Sequence, residues 1–159
     1  MALSVRRVIT GHDDTGKAVV TIDEVCQHTF VGRPGAVGVN VWTTEGFPAN
    51  NDGDVDAGKR QGVGTTIANG TIFRILEFSP GLAARNHRTD SIDYIVVLQG
   101  EIDMELDDTT VHLKAGDTMV QRGTIHNWVN RGTAPCVLAV ILIAAKSVEA
   151  GGKVLPAIG

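Results

Sequence analysis

From residue 71 to residue 145, apolar and polar residues alternate in short blocks that break at Gly, Pro or Asp every eight to twelve residues. TIFRILEFSPG stops at Pro80-Gly81, Ile92–Leu98 is an almost unbroken apolar run, and EIDMELDDTTVHLKAGD turns at Asp107-Asp108 and again at Gly116-Asp117. TMVQRG, IHNWVN and PCVLAVILIAA follow. A period of two with turn residues between blocks predicts strands, and their regular spacing predicts a sandwich or barrel. No stretch of ten or more residues carries the helical period, so the chain reads as all-β with about eight to ten short strands.

The part before residue 71 adds SVRRVIT and KAVVTIDEV, joined by the turn GHDDTG, and then VGVNVWTT. Residues 45–64 are polar, aperiodic and rich in Asn, Asp and Gly, which predicts a long loop of the kind that lines or covers a binding site. NDGDVDAG inside it lacks the closing Glu of a calcium loop. At 159 residues, 43% of them hydrophobic, the chain is long enough for one domain with its own core. The 19 glycines suit a chain of many tight turns.

A net charge of −4 with no Lys/Arg stripe excludes a nucleic-acid surface. The longest apolar run, residues 136–145, falls far short of the roughly 20 residues a membrane helix needs. MALSVRRVITGHDD has basic residues but no apolar segment after them, so no secretory signal is read and a cytoplasmic location is expected. Cys26 and Cys136 lack CxxC spacing and are expected as buried free thiols.

The chemistry-bearing residues lie in NHRTDSIDYIVVLQGE and GDTMVQRGTIHNWVN. Strand alternation sends His87 and Thr89 to one face, Asp93 with Ile95 and Val97 to one face, and His126 with Trp128 and Asn130 to one face. Gln121, leading to His126, is a candidate pocket residue. Arg74 and Arg85 are candidates for a substrate carboxylate, which the guanidinium fork matches. His28 and His112 read as structural, and Trp128 as a packing residue. No serine nucleophile, phosphate loop or dinucleotide fingerprint is present.

Residues 81–130 resemble the paired motifs of the cupin superfamily. Gly81, five residues, His87-Arg88-Thr89, three residues, Asp93, six residues and Gly100 keep every spacing of the first motif, with Thr89 in place of its second histidine and Asp93 in place of its glutamate. Gly116 through His126 to Asn130 resembles the second, one residue shorter before the histidine and with Arg122-Gly123 for the usual proline turn. The resemblance implies a double-stranded β-helix, or jelly-roll barrel, over residues 1–159: N-terminal strands and a polar loop to residue 70, a core barrel over 71–145, and a tail over 146–159. It implies that His87, Asp93 and His126 converge inside the barrel. Two imidazoles and a carboxylate suit a divalent transition metal (Fe, Mn, Ni, Co or Zn) with open coordination positions, and Thr89 would then orient a bound water or ligand.

Several functions remain open on this reading. One is a metal-dependent lyase or isomerase that decarboxylates, dehydrates or enolises an organic acid or an aromatic or polyketide-like molecule, with an Fe(II) dioxygenase as its redox variant. The others are a non-catalytic small-molecule binder and a metal-free acid–base enzyme working through His87 or His126. The exposed edges of a jelly roll predict a homodimer, paired through the N-terminal strands or the apolar strand at 136–145.

Overall fold

In the computed structural model, which describes residues 3–159, thirteen strands and a single 3₁₀ turn account for all the regular structure of the described residues. The strands are β1 (Arg6–His12), β2 (Ala18–Val25), β3 (Thr29–Arg33), β4 (Ala36–Thr44), β5 (Thr71–Phe78), β6 (Ser91–Gln99), β7 (Glu101–Glu105), β8 (Thr110–Lys114), β9 (Thr118–Arg122), β10 (Asn127–Val129), β11 (Cys136–Ala144), β12 (Val148–Ala150) and β13 (Lys153–Leu155). Among the described residues, no helix is long and apolar enough to cross a membrane.

Two sheets make the double-stranded β-helix. One runs β3-β4-β5-β11-β6-β9 and the other β10-β7-β8, every pairing antiparallel. The main core joins them: Ile72 and Phe78 of β5, Val97 of β6 and Leu138 of β11 pack with Ile102 and Met104 of β7 and Trp128 of β10. A second, smaller cluster on the other face of the large sheet combines Val41, Ile75 and Ala139 with Leu3, Val5, Val96 and Val137.

The two clusters explain the apolar run at 136–145. Leu138, Val140 and Leu142 face the main core while Val137 and Ala139 face the second, so both sides of β11 are covered and its sequence cannot alternate. β11 also lies between β5 and β6, so it presents no free edge. The edges of the large sheet are β3 and β9.

Three strands exceed the expected number. β3 is too short for a pattern to stand out, and β12 and β13 form a hairpin across Gly151-Gly152 within residues 146–159. β3 matters most here, because it extends the sheet beside the barrel opening. The first motif's closing glycine has a conformational reason: Gly100 turns the chain from β6 to β7 with φ 75°, and a Cβ there would come within 2.7 Å of the Pro135 carbonyl oxygen.

The long loop is tied down rather than loose. The Arg7 side chain is fully buried and holds Glu24 at 2.7 Å and both carboxylate oxygens of Asp56, joining the β1–β2 hairpin to residues 45–64. The Arg7 guanidinium holds the Asp56 carboxyl down to about 2.

Candidate functional site

β6 brings in the first group of polar side chains. Its inward residues are Ser91, Asp93, Ile95 and Val97, all buried, while Tyr94 and Leu98 are exposed, which is the alternation the sequence predicts. Ser91 Oγ donates to Asp93 Oδ1 at 2.6 Å and lies 2.8 Å from Thr89 Oγ1, so Thr89, Ser91 and Asp93 form one buried polar line. Burial pushes the Asp93 carboxyl up.

His87 and His126 lie just outside the regular strands and pair with each other in an isolated antiparallel bridge. Their ring centroids are 4.2 Å apart, and Trp128 stands edge-on to His126 at 6.0 Å. His87 Nδ1 donates to the Arg85 carbonyl oxygen at 3.0 Å, which leaves its Nε2 as a lone pair. His126 Nδ1 lies 3.0 Å from the amide nitrogen of Gln121 and 3.0 Å from the Thr124 carbonyl oxygen. The Gln121 amide also donates to Thr124 O and Oγ1. A carbonyl oxygen can only accept, so His126 Nδ1–H donates to Thr124 as His87 Nδ1–H donates to Arg85, and in each neutral ring Nε2 carries the lone pair. Burial, followed by the neighbouring His126 ring, pushes His87 down to about 4. Burial lowers His126 as well.

Both imidazoles line a cavity of about 120 Å³ inside the barrel, together with Thr89, Asp93, Arg74 and Arg85. Its walls are apolar, from Leu76, Phe78, Ile95, Trp128, Leu138 and Val140 among others. Arg74, on β5, is only 6% exposed: one Nη donates to the Gly64 carbonyl oxygen at 2.7 Å and the guanidinium lies over Phe30 at 5.1 Å. Burial lowers it to about 10, with Asp93 opposing the shift. Gln121 is buried beneath His126 and is not among the cavity residues. Asn127 positions Arg85 by accepting its backbone N–H at 2.9 Å. Asn130 donates to the carbonyl oxygens of Phe78 and Ala134 and so closes a turn.

The structure also adds a residue that the sequence did not single out: Arg33, at the end of β3, lines the cavity and lies over Phe78 at 5.9 Å. The nearest sequence signal was the basic residue in the TFVGR segment, which is too short to be read as a strand. His28 bonds the Asn40 carbonyl oxygen and His112 pairs with Asp103 at the surface. Both cysteines are buried and free.

The expected metal set of His87, Asp93 and His126 is not assembled. Among the described residues, no three His, Cys, Asp or Glu side chains are grouped so as to hold a metal ion. The physical reason lies in Asp93, which lines the same cavity but is held by the Ser91 hydroxyl, while the imidazoles lie against each other and bond Arg85, Gln121 and Thr124. The donors present are two nitrogens, and they do not fit a three-ligand metal site.

The profile of the family described as "Cupin domain" matches residues 74–142. The chain is 32% identical over 154 residues to "Cupin-domain-containing oxidoreductase fogC" of Aspergillus ruber, covering 92% of this chain and 76% of that protein. It is 36% identical over 157 residues to "Phomopsin biosynthesis cluster protein C'" of Diaporthe leptostromiformis, covering 94% and 83%. It is 32% identical over 149 residues to "Cupin-domain-containing oxidoreductase virC" of Hypocrea virens, covering 89% and 77%.

Proposed function

This chain belongs to the cupin family, and we propose that it is a small-molecule enzyme of the lyase or isomerase type that moves protons with His87 and His126. One observation carries the reading: two buried imidazoles touch inside an apolar cavity, each with its Nδ1 tied to a backbone carbonyl oxygen and its Nε2 left as a lone pair. Near pH 7 both rings are neutral, so each offers a basic lone pair at Nε2.

In the proposed reaction His87 Nε2 takes a proton from a carbon next to a carbonyl or carboxylate. The electrons of that C–H bond pass into the unsaturated system, and the proton taken is returned elsewhere by His87 itself or, after crossing the ring contact, by His126. Delivered to carbon, that proton completes an isomerisation. Delivered to a departing hydroxyl, it completes a dehydration with water as product. The apolar walls keep competing water away from both nitrogens.

A redox reaction is the second reading, favoured by the relatives described as oxidoreductases. The two differ in what they consume. Incubating the protein in D₂O with small unsaturated acids and ketones, followed by proton NMR, tests the first: deuterium should enter carbon without any electron acceptor. His87→Gln and His126→Gln should each lower the exchange rate at least 100-fold. Turnover that incorporates no deuterium and requires an acceptor would establish the redox reading instead.

A further inference from the structure

The arginines around the cavity outnumber the carboxylates. Among the described residues, Arg33, Arg74 and Arg85 form no ion pair with an Asp or Glu, Asp93 is the one carboxylate lining the inner cavity, and Arg85 spends one Nη on the Gly159 oxygen at 2.6 Å. Two guanidinium nitrogens, Arg33 Nη1 and Arg74 Nε, are buried with no hydrogen-bond partner. Unpaired buried donors on a cation are costly. Arg74 is the more telling of the two, since its whole side chain is enclosed against Phe30 and only one of its nitrogens has a protein acceptor.

The arginines also occupy a particular place. An outer cleft of about 540 Å³, lined by His28 and by residues 60–65 at and just past the end of the long loop, shares Phe30, Gly32, Thr65, Arg74 and Arg85 with the inner cavity. Among the described residues, no Asp or Glu lines that outer cleft. Arg74 and Arg85 therefore stand at the throat between two chambers, with Arg33 beside them on the inner side.

We infer that this throat is an anion seat, and that the ligand of the cavity is a carboxylate whose apolar body, about the size of one ring, enters the inner chamber against His87 and His126. The inference rests on the proposed site but not on its chemistry. The guanidinium forks match the two oxygens of a carboxylate and supply the acceptors that the unpaired nitrogens lack. The inner volume of about 120 Å³ is close to the roughly 150 Å³ of an apolar cavity known to take benzene. A longer substituent would run into the outer cleft under the loop.

Calorimetric titration with benzoate and with benzamide tests the seat, because the two probes share shape and differ in charge. Benzoate should bind at least tenfold more tightly, and Arg85→Gln and Arg74→Gln should each remove that preference while leaving benzamide unchanged. Arg85 is only half-buried, so its variant keeps the test open if Arg74→Gln fails to fold. Equal affinity of the wild-type protein for both probes would overturn the inference, as would an unchanged benzoate affinity in folded Arg85→Gln. Benzoate binding that survives His126→Gln, together with absence of deuterium exchange in the wild type, would keep the anion seat and reject the proton-transfer reading.

Discussion

The backbones of His87 and His126 are hydrogen-bonded to each other in both directions, His87 N to His126 O at 3.0 Å and His126 N to His87 O at 2.9 Å. Residues 39 positions apart are thereby fixed as a directly opposed antiparallel pair, whose side chains leave the same face of the bridge. The ring contact follows from the backbone and does not depend on a ligand to draw the histidines together.

That enclosure makes folding stability depend on pH. His87 titrates near 4 in the folded protein and near 6.5 in an unfolded chain. Between those values the unfolded chain binds a proton that the folded one does not, so stability falls as pH drops from about 6.5 to about 4 and this contribution levels off below. His126 acts in the same direction, and Asp93, raised by burial, acts against it nearer the carboxylate range. Urea unfolding at pH 5 should give a stability on the order of 2 kcal/mol below that at pH 7. His87→Gln should remove most of the difference. An unchanged difference in that variant would place the titrating group elsewhere.

Thr124 is expected to fix which nitrogen of His126 carries the proton. Its carbonyl oxygen accepts from Nδ1 at 3.0 Å, which selects the Nδ1–H form of the neutral ring. Gln121→Glu sets a carboxylate beside the same nitrogen and should raise the ring's pKa. Long-range ¹H–¹⁵N spectra of His126 read the tautomer and the titration directly. An Nε2–H ring in the wild-type protein would contradict the assigned donor.

The barrel and the inward positions were legible in the sequence because they rest on local rules. Alternation put Asp93 and Tyr94 on opposite faces, and the resemblance to the paired motifs made the Asp93 face the interior and brought His87 and His126 to it across 39 residues. The ligand set was not legible, since spacing fixes where Asp93 begins but not what its carboxylate meets, which is the Ser91 hydroxyl two residues away. Arg33 escaped for a related reason. Its strand has five residues and gains meaning only by pairing with β4 at the opening.

The buried charge cluster under the loop should control how firmly residues 45–64 are held. Asp56→Ala leaves Arg7, whose side chain is fully buried, with Glu24 as its remaining carboxylate partner. Breaking such a pair leaves buried charge uncompensated, and a loss of about 2–3 kcal/mol is expected. Proteolysis under native conditions should then cut first within residues 45–64. Gly58→Ala should have a similar effect by a different route, because its Cβ would lie 2.1 Å from Arg7 Nη1 and 2.5 Å from the Val41 carbonyl oxygen. Wild-type stability and cutting pattern in both variants would show that the cluster does not anchor the loop.

Thr89 is the position where the metal question can be decided. It lines the same cavity as His87 and His126, it stands where the resembled motif has a histidine, and its hydroxyl touches only Ser91 among its side-chain neighbours. Two imidazoles hold a divalent ion weakly, whereas three donors with an open position make a stable site. Dialysis of the wild-type protein against EDTA should therefore leave deuterium exchange unaffected. Thr89→His should bind Zn²⁺ or Co²⁺ at least tenfold more tightly than the wild type, with visible absorption from four- or five-coordinate Co²⁺ as the signature. Equal affinity in the two proteins would mean that Asp93 leaves Ser91 to complete a site with His87 and His126, and the three-ligand set expected from the sequence would then hold.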